Sequence, residues 1–163
     1  MRYYIGIDPG ASGFIAVNDG RERCFLGLRD AVWSDVVSFL REVVVRSGGD
    51  VFCCMEEVHA IYGSSAAGTF SFGRVFGMLE GLLCGIGIAY ELVPPKVWQR
   101  EMWAHSDKVY KDGRRVDPKK TSVRAASRLF PDVDFRRTER SKVIDDNKCD
   151  AMLICEYGRR RNM

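Results

Sequence analysis

The chain has 163 residues, 46% of them hydrophobic and 29% charged, with a formal net charge of +3. This length suits one domain spanning residues 1–163, and the apolar fraction is enough for a buried core, which excludes a largely disordered chain. The most apolar long segment, 75–92, contains Glu80 and Glu91 and follows Arg74. Ionised groups near a bilayer centre cost roughly 2.5–3.5 kcal/mol each, so no membrane span is expected, and no basic-then-apolar opening suggests a signal peptide. Six cysteines form no C-x-x-C pair, and His59 and His105 stand alone. Buried, reduced thiols in a cytoplasmic protein are therefore expected, rather than disulfides or zinc.

In chain order, Tyr3–Ile7 is a short β-prone run ending at Asp8, followed by the turn Pro9-Gly10-Ala11-Ser12-Gly13 and a return strand from Phe14 to Val17. Asp19-Gly20 marks a second turn before a third strand, Arg23 to Leu28. Val32, Val36, Phe39, Leu40 and Val43 are spaced as one helical face, closed by Gly48-Gly49. Val51–Met55 reads as a strand buried on both faces, ending at Glu56-Glu57. After a polar Gly/Ser-rich loop, Gly73, Gly77, Gly81 and Gly85 line one stripe of a helix. Each such glycine costs about 1 kcal/mol relative to alanine, which implies close packing of that stripe on another helix or on a sheet. A strand from Ile88 to Val93 and a short helix from Val97 to Met102 follow. Residues 105–118 lack periodicity and are expected to form a mobile basic loop. Helices over Lys120–Leu129 and Asp146–Tyr157 flank an irregular basic stretch, 131–145. The order predicts an α/β domain with one mixed sheet and helices on its faces.

Charge is segregated. Residues 1–95 hold 7 Lys/Arg against 11 Asp/Glu, residues 96–142 hold 14 against 7, and residues 143–163 hold 4 against 4. Such a division suggests a polyanion bound by the basic segment and divalent metal bound by the acidic part, beside the plainer reading of an ordinary solvated surface. Asp8 and Glu56 each end a buried strand, and Asp146 and Asp150 are four apart on one helix face, where like charges repel. Singly, each has a plain structural explanation as a turn cap, a surface acid or a helix cap. Together at one sheet edge they would raise one another's pKa and need cations, and oxygen-only ligation selects Mg2+ or Mn2+, two ions in such a cage.

These segments resemble the RuvC-type Holliday junction resolvases of the RNase H-like superfamily, particularly their phage and prophage versions. Ile5-Gly6-Ile7-Asp8-Pro9-Gly10 resembles the opening strand with its catalytic Asp, and Met55-Glu56-Glu57-Val58 the strand end with its catalytic Glu. Asp146-Asn147-Lys148-Cys149-Asp150-Ala151 resembles the closing helix with two catalytic Asp residues. Tyr90–Trp98 and Ser127–Pro131 resemble phage-type connecting segments. The resemblance implies an RNase H-like mixed five-stranded sheet with helices on both faces. It also implies a homodimeric, Mg2+-dependent endonuclease of four-way DNA junctions, with Asp8, Glu56, Asp146 and Asp150 holding the ions and Lys120 steadying the scissile phosphate. Asp145 and Asn147 are alternatives to Asp146, and His59 stands where the cellular enzymes place an aromatic, with Tyr62 the other residue considered for a stacking role. Arg114, Arg115, Lys119, Lys120, Arg136 and Arg137 are the expected phosphate contacts, and the glycine stripe a candidate dimer interface. Other nucleases of the superfamily, a sugar-kinase or actin-like ATPase, and a silent DNA-binding module are the competing readings.

Overall fold

The computed structural model describes residues 2–29, 31–58 and 65–161. His59 and Tyr62, to which the aromatic expectation is attached, lie outside the described residues. Five strands form one mixed sheet in the order β3-β2-β1-β4-β5: β1 (Tyr3–Asp8), β2 (Phe14–Asn18), β3 (Arg23–Gly27), β4 (Val51–Glu56) and β5 (Ala89–Val93). The first three pair antiparallel, as their short turns require, whereas β1–β4 and β4–β5 are parallel and joined by helical crossovers. Register places Ile7 opposite Met55, so Asp8 and Glu56 follow side by side at the same sheet edge.

Side chains alternate between two cores. Ile5, Ile7, Ile15, Cys53 and Met55 face α1 (Trp33–Ser47) and α2 (Ala66–Ile86) through Val36, Leu40, Leu79 and Leu83. Tyr4, Phe14, Ala16 and Cys54 face α3 (Pro95–Met102), α4 (Pro118–Leu129) and α5 (Asp146–Arg161). Helices therefore cover both faces of the five-stranded sheet, as expected.

α5 is buried on nearly every side from Ala151 to Gly158, because it lies between the sheet and the other helices. What permits this is Gly6. A Cβ there would fall 2.7 Å from Cys155 Cα and closer still to Ala151 O and Cys155 N, so helix backbone rests directly on strand backbone.

Two expectations change. Residues 105–118 are not an aperiodic loop: a 3-10 turn (His105–Asp107) leads into a two-stranded hairpin, β6 (Tyr110–Lys111) and β7 (Arg115–Val116). Its turn residues Asp112 and Gly113 both take positive φ, 52° and 69°, the Asp-Gly hairpin signal. The bidentate Arg128–Asp107 ion pair, 2.7 Å at its shortest, ties this segment to α4. The glycine stripe is also not packed inside the subunit. Apart from the helix's own backbone and the adjoining residues, no described atom lies within 4 Å of a Cβ built at Gly73, Gly77, Gly81 or Gly85; only Val75, Leu79 and Leu83 of α2 are buried. Although α2 is long and apolar enough to span a bilayer, that buried face packs on the sheet. Of the six cysteines, Cys84 is exposed and Cys24 half-buried, and the other four are buried as expected; all six are free thiols.

Candidate active site

β1 and β4 deliver Asp8 and Glu56 to one edge, and α5, seated on Gly6, brings its first turns over the same edge. The four predicted carboxylates are thus neighbours, and their electrostatics record it. Desolvation, then the charges of Asp150, Glu56 and Asp146, push Asp8 well above the ordinary carboxylate range. Burial, opposed by a hydrogen bond with Ser122 and reinforced by Glu56 and Asp146, pushes Asp150 up to about 7. Burial also raises Glu56, against the pull of a hydrogen bond from Trp98.

Among the described residues, no three or more Asp, Glu, His or Cys side chains are placed so as to hold a metal ion. Yet Asp150 Oδ1 is buried with no hydrogen-bond partner, a costly arrangement for a carboxylate unless a cation or proton meets it. An all-carboxylate donor set with one orphaned oxygen, in which neighbouring negative charge adds to burial in raising Asp8 and Asp150, fits a hard divalent cation.

The alternatives at the start of α5 separate by their contacts. Asp145 is the helix cap: its Oδ1 accepts from the backbone N–H of Asn147 and Lys148 at 3.0 and 3.3 Å, and its Oδ2 accepts from Arg137 at 2.6 Å. Asn147 donates to the Ser12 carbonyl at 3.2 Å. Asp146 instead faces the acidic cluster and pairs with Lys119 Nζ at 2.9 Å.

The lysine nearest the carboxylates is therefore Lys119 rather than the expected Lys120. A hydrogen bond with Asp146, and then the charges of Asp146, Asp150 and Asp8, raise its pKa. α4 opens at Pro118 under an Asp117 cap, and Lys120 lines one groove together with Lys119 and Asp146. Arg137 also departs from its expected role as a phosphate contact. Its side chain is 19% exposed, donates to Asp145 and to Ser12 O, and lies 4.5 Å over the Phe14 ring. It is an internal strap between the loop after Asp8 and the cap of α5. Arg136 folds onto Asp134 at 2.7 Å.

Two tryptophans that sequence reasoning did not single out support the carboxylates. Trp98 Nε1 donates to Glu56 Oε1 at 2.9 Å. Trp103 Nε1 donates to Ser122 Oγ at 3.2 Å, and Ser122 hydrogen-bonds Asp150. The rings pack edge to face, 6.1 Å between centroids. Their sequence signal was only an apolar helix face. Trp98→Phe keeps the packing but removes the donor that favours ionised Glu56. It is expected to weaken binding of Mg2+ to the acidic cluster by about tenfold in titration calorimetry, as loss of such supporting hydrogen bonds does elsewhere. An unchanged Mg2+ affinity would show that Trp98 only fills space.

With the geometry in place, solved structures supply a comparison. A structure described as T. thermophilus RuvC in complex with Holliday junction substrate matches with a TM-score of 0.57 at 11% identity, covering 99% of this chain and 96% of that one. A second, Thermus thermophilus RuvC structure, matches with a TM-score of 0.57 at 14% identity, covering 98% and 96%. The fold is that of RuvC. No family model matches the sequence, and no curated protein matches it.

Proposed function

We propose that this protein is a structure-selective endonuclease that resolves four-way DNA junctions by paired, Mg2+- or Mn2+-dependent phosphodiester hydrolysis. The observation that carries the reading is the meeting of Asp8, Glu56, Asp146 and Asp150 from three separate segments, with Asp150 Oδ1 left without a partner. These four residues would hold two divalent ions, which when bound supply an activated water and stabilise the leaving oxygen. The chain's own contribution is placement. β1 and β4 fix Asp8 and Glu56 in register, α5 fixes Asp146 and Asp150, and Trp98 and Ser122 orient two of the acids. Lys119, held by Asp146, offers an ammonium group to a non-bridging phosphate oxygen beside the acids. The junction substrate bound by the structural neighbour supports the choice of branched DNA, as does the basic hairpin tip at Arg114 and Arg115.

The deciding experiment compares cleavage of a synthetic mobile four-way junction, a flap and an RNA–DNA hybrid, with and without Mg2+. Paired symmetric nicks in the junction are expected. Preference for the hybrid or the flap would assign a different activity of the same fold, and no Mg2+-dependent cleavage of any of them would overturn the nuclease reading.

Resolution needs two related nicks, so a C2 homodimer belongs to this proposal. The open glycine stripe of α2 and the 74%-exposed Phe70 are its interface. Gly77→Leu is expected to convert a dimer into a monomer in light-scattering chromatography; a dimer that persists would place the interface elsewhere.

Arg114, Arg115 and Lys120 would contact phosphates. Replacing all three with glutamine is expected to weaken junction binding and flatten the plot of log K against log salt by roughly 0.9 for each phosphate no longer neutralised. Lys119 is left in place because it pairs with Asp146. An unchanged slope would remove these residues from the DNA path.

A further inference from the structure

We propose that Arg137 is a positioning residue for the acidic cluster: by clamping the turn after Asp8 to the cap of α5, it sets how closely Asp146 and Asp150 approach Asp8 and so how tightly the cluster binds divalent ions. The inference rests on the reading of that cluster as a metal site.

α5 is attached to β1 at two places. One is Gly6, against which the backbone of Ala151 and Cys155 rests. This contact fixes the middle of the helix but not the tilt of its first turn. The like charges of Asp8, Asp146 and Asp150 push that turn away from the sheet edge. The second attachment opposes them. Arg137 donates from Nε to Asp145 Oδ2 and from Nη2 to Ser12 O, both at 2.6 Å. Asn147 Nδ2 donates to the same carbonyl at 3.2 Å, so both lone pairs of Ser12 O are taken by the start of α5 and the arginine held to it. Ser12 adjoins Gly13, which lies directly on the Asp8 peptide: a Cβ at Gly13 would overlap Asp8 O and stand 3.0 Å from the Asp8 carbonyl carbon. A shift at Ser12 therefore reaches Asp8, and a shift at Asp145 reaches Asp146, the next residue.

The clamp is itself held in place. The Asp145 N–H donates to Phe135 O at 2.9 Å, and Lys148 Nζ donates to Asp134 O and Arg136 O at 2.7 and 3.0 Å. The segment carrying Arg137 thus folds back on the start of α5, with the guanidinium over the Phe14 ring. A planar guanidinium can address a carboxylate and a carbonyl at once through fixed N–H directions, which a lysine ammonium on a flexible stem does not reproduce.

The test uses the full chain without DNA, and titration calorimetry with Mg2+. Charge alone predicts that removing a cation beside a carboxylate cluster tightens Mg2+ binding, because the cation repels the ion. The clamp predicts the opposite sign. Arg137→Met, which keeps an apolar stem against Phe14, is expected to bind Mg2+ about tenfold more weakly than wild type. A few millimolar guanidinium, far below denaturing levels, should refill the slot and restore the affinity. In cleavage of a four-way junction the loss should fall on kcat, with KM and metal-free junction affinity unchanged. Mg2+ binding by Arg137→Met as tight as or tighter than wild type would overturn the clamp, and so would a weakening that guanidinium does not reverse. Should Arg137→Met fail to fold, Arg137→Lys decides by affinity alone: it keeps the charge, so weaker Mg2+ binding supports the clamp and equal binding overturns it. A wild type that binds Mg2+ but cuts no branched DNA would overturn the nuclease reading and leave the calorimetry to judge the clamp. A wild type that binds no Mg2+ would overturn the metal site and the clamp with it.

Discussion

Asp8→Asn is expected to abolish Mg2+-dependent cleavage, by roughly 10²–10³-fold or more, while junction binding stays within a few-fold of wild type. Asparagine keeps the size of the side chain at the end of β1 and removes one charge from the acidic cluster. The same change has a second signature that needs no DNA. A carboxyl with a raised pKa binds its proton more tightly in the folded than in the unfolded state. The folded state therefore holds more protons, and stability falls as pH rises from the unfolded pKa toward the folded one. For Asp150 that window runs from the ordinary 3.8 to about 7, and for Asp8 it extends in the same direction. Metal-free protein should accordingly lose stability between mildly acid and neutral pH and regain it when Mg2+ is added, since ligands that bind only the folded state stabilise it. In Asp8→Asn the pH-dependent loss should shrink and the Mg2+-induced rise in Tm should largely disappear. Undiminished nicking, or an Mg2+ response equal to wild type, would remove Asp8 from the site.

Gly6→Ala is expected to be severely damaging for a single added methyl. Overpacking usually costs about 1–3 kcal/mol because side chains can shift. At Gly6 the obstacles are Ala151 O, Cys155 N and Cys155 Cα, which are backbone of a helix buried on nearly all sides. A loss of about 3 kcal/mol or more is therefore expected in urea denaturation, or α5 must lift and carry Asp146 and Asp150 away from Asp8. Gly158→Ala is the useful contrast. Its Cβ would lie 2.8 Å from Cys54 Sγ, a side-chain atom that can rotate, so a smaller loss is expected. If the two variants are equally stable, α5 is not seated on β1 as described, and the acidic cluster loses its scaffold.

These two glycines illustrate how differently parts of the site were written in the sequence. The strand ends at Asp8 and Glu56 were legible because an apolar run followed by a turn or a pair of acids is a local pattern. The spacing of Asp146 and Asp150 was legible because four residues on a helix share a face. The β6–β7 hairpin was also local, carried by Asp112-Gly113, but the absence of apolar periodicity around it hid the signal.

What no local pattern held was the direction each side chain takes once distant segments meet. Lys119 and Lys120 are adjacent and chemically identical, and only the seating of α4 against α5 turns the first toward Asp146. Asp145 and Asp146 are equally adjacent, and the helix start takes the former for its backbone N–H groups while leaving the latter beside the other carboxylates. Arg137 looked like one more cation of a basic segment until Asp145, Ser12 O and Phe14 enclosed it. Trp98 and Trp103 contact Glu56 and Ser122 across 42 and 19 residues of chain. Composition and periodicity determined the elements and the acids they carry. The tertiary packing decided which charges face one another, because hydrogen bonds and ion pairs depend on ångström-scale orientation that sequence spacing does not encode.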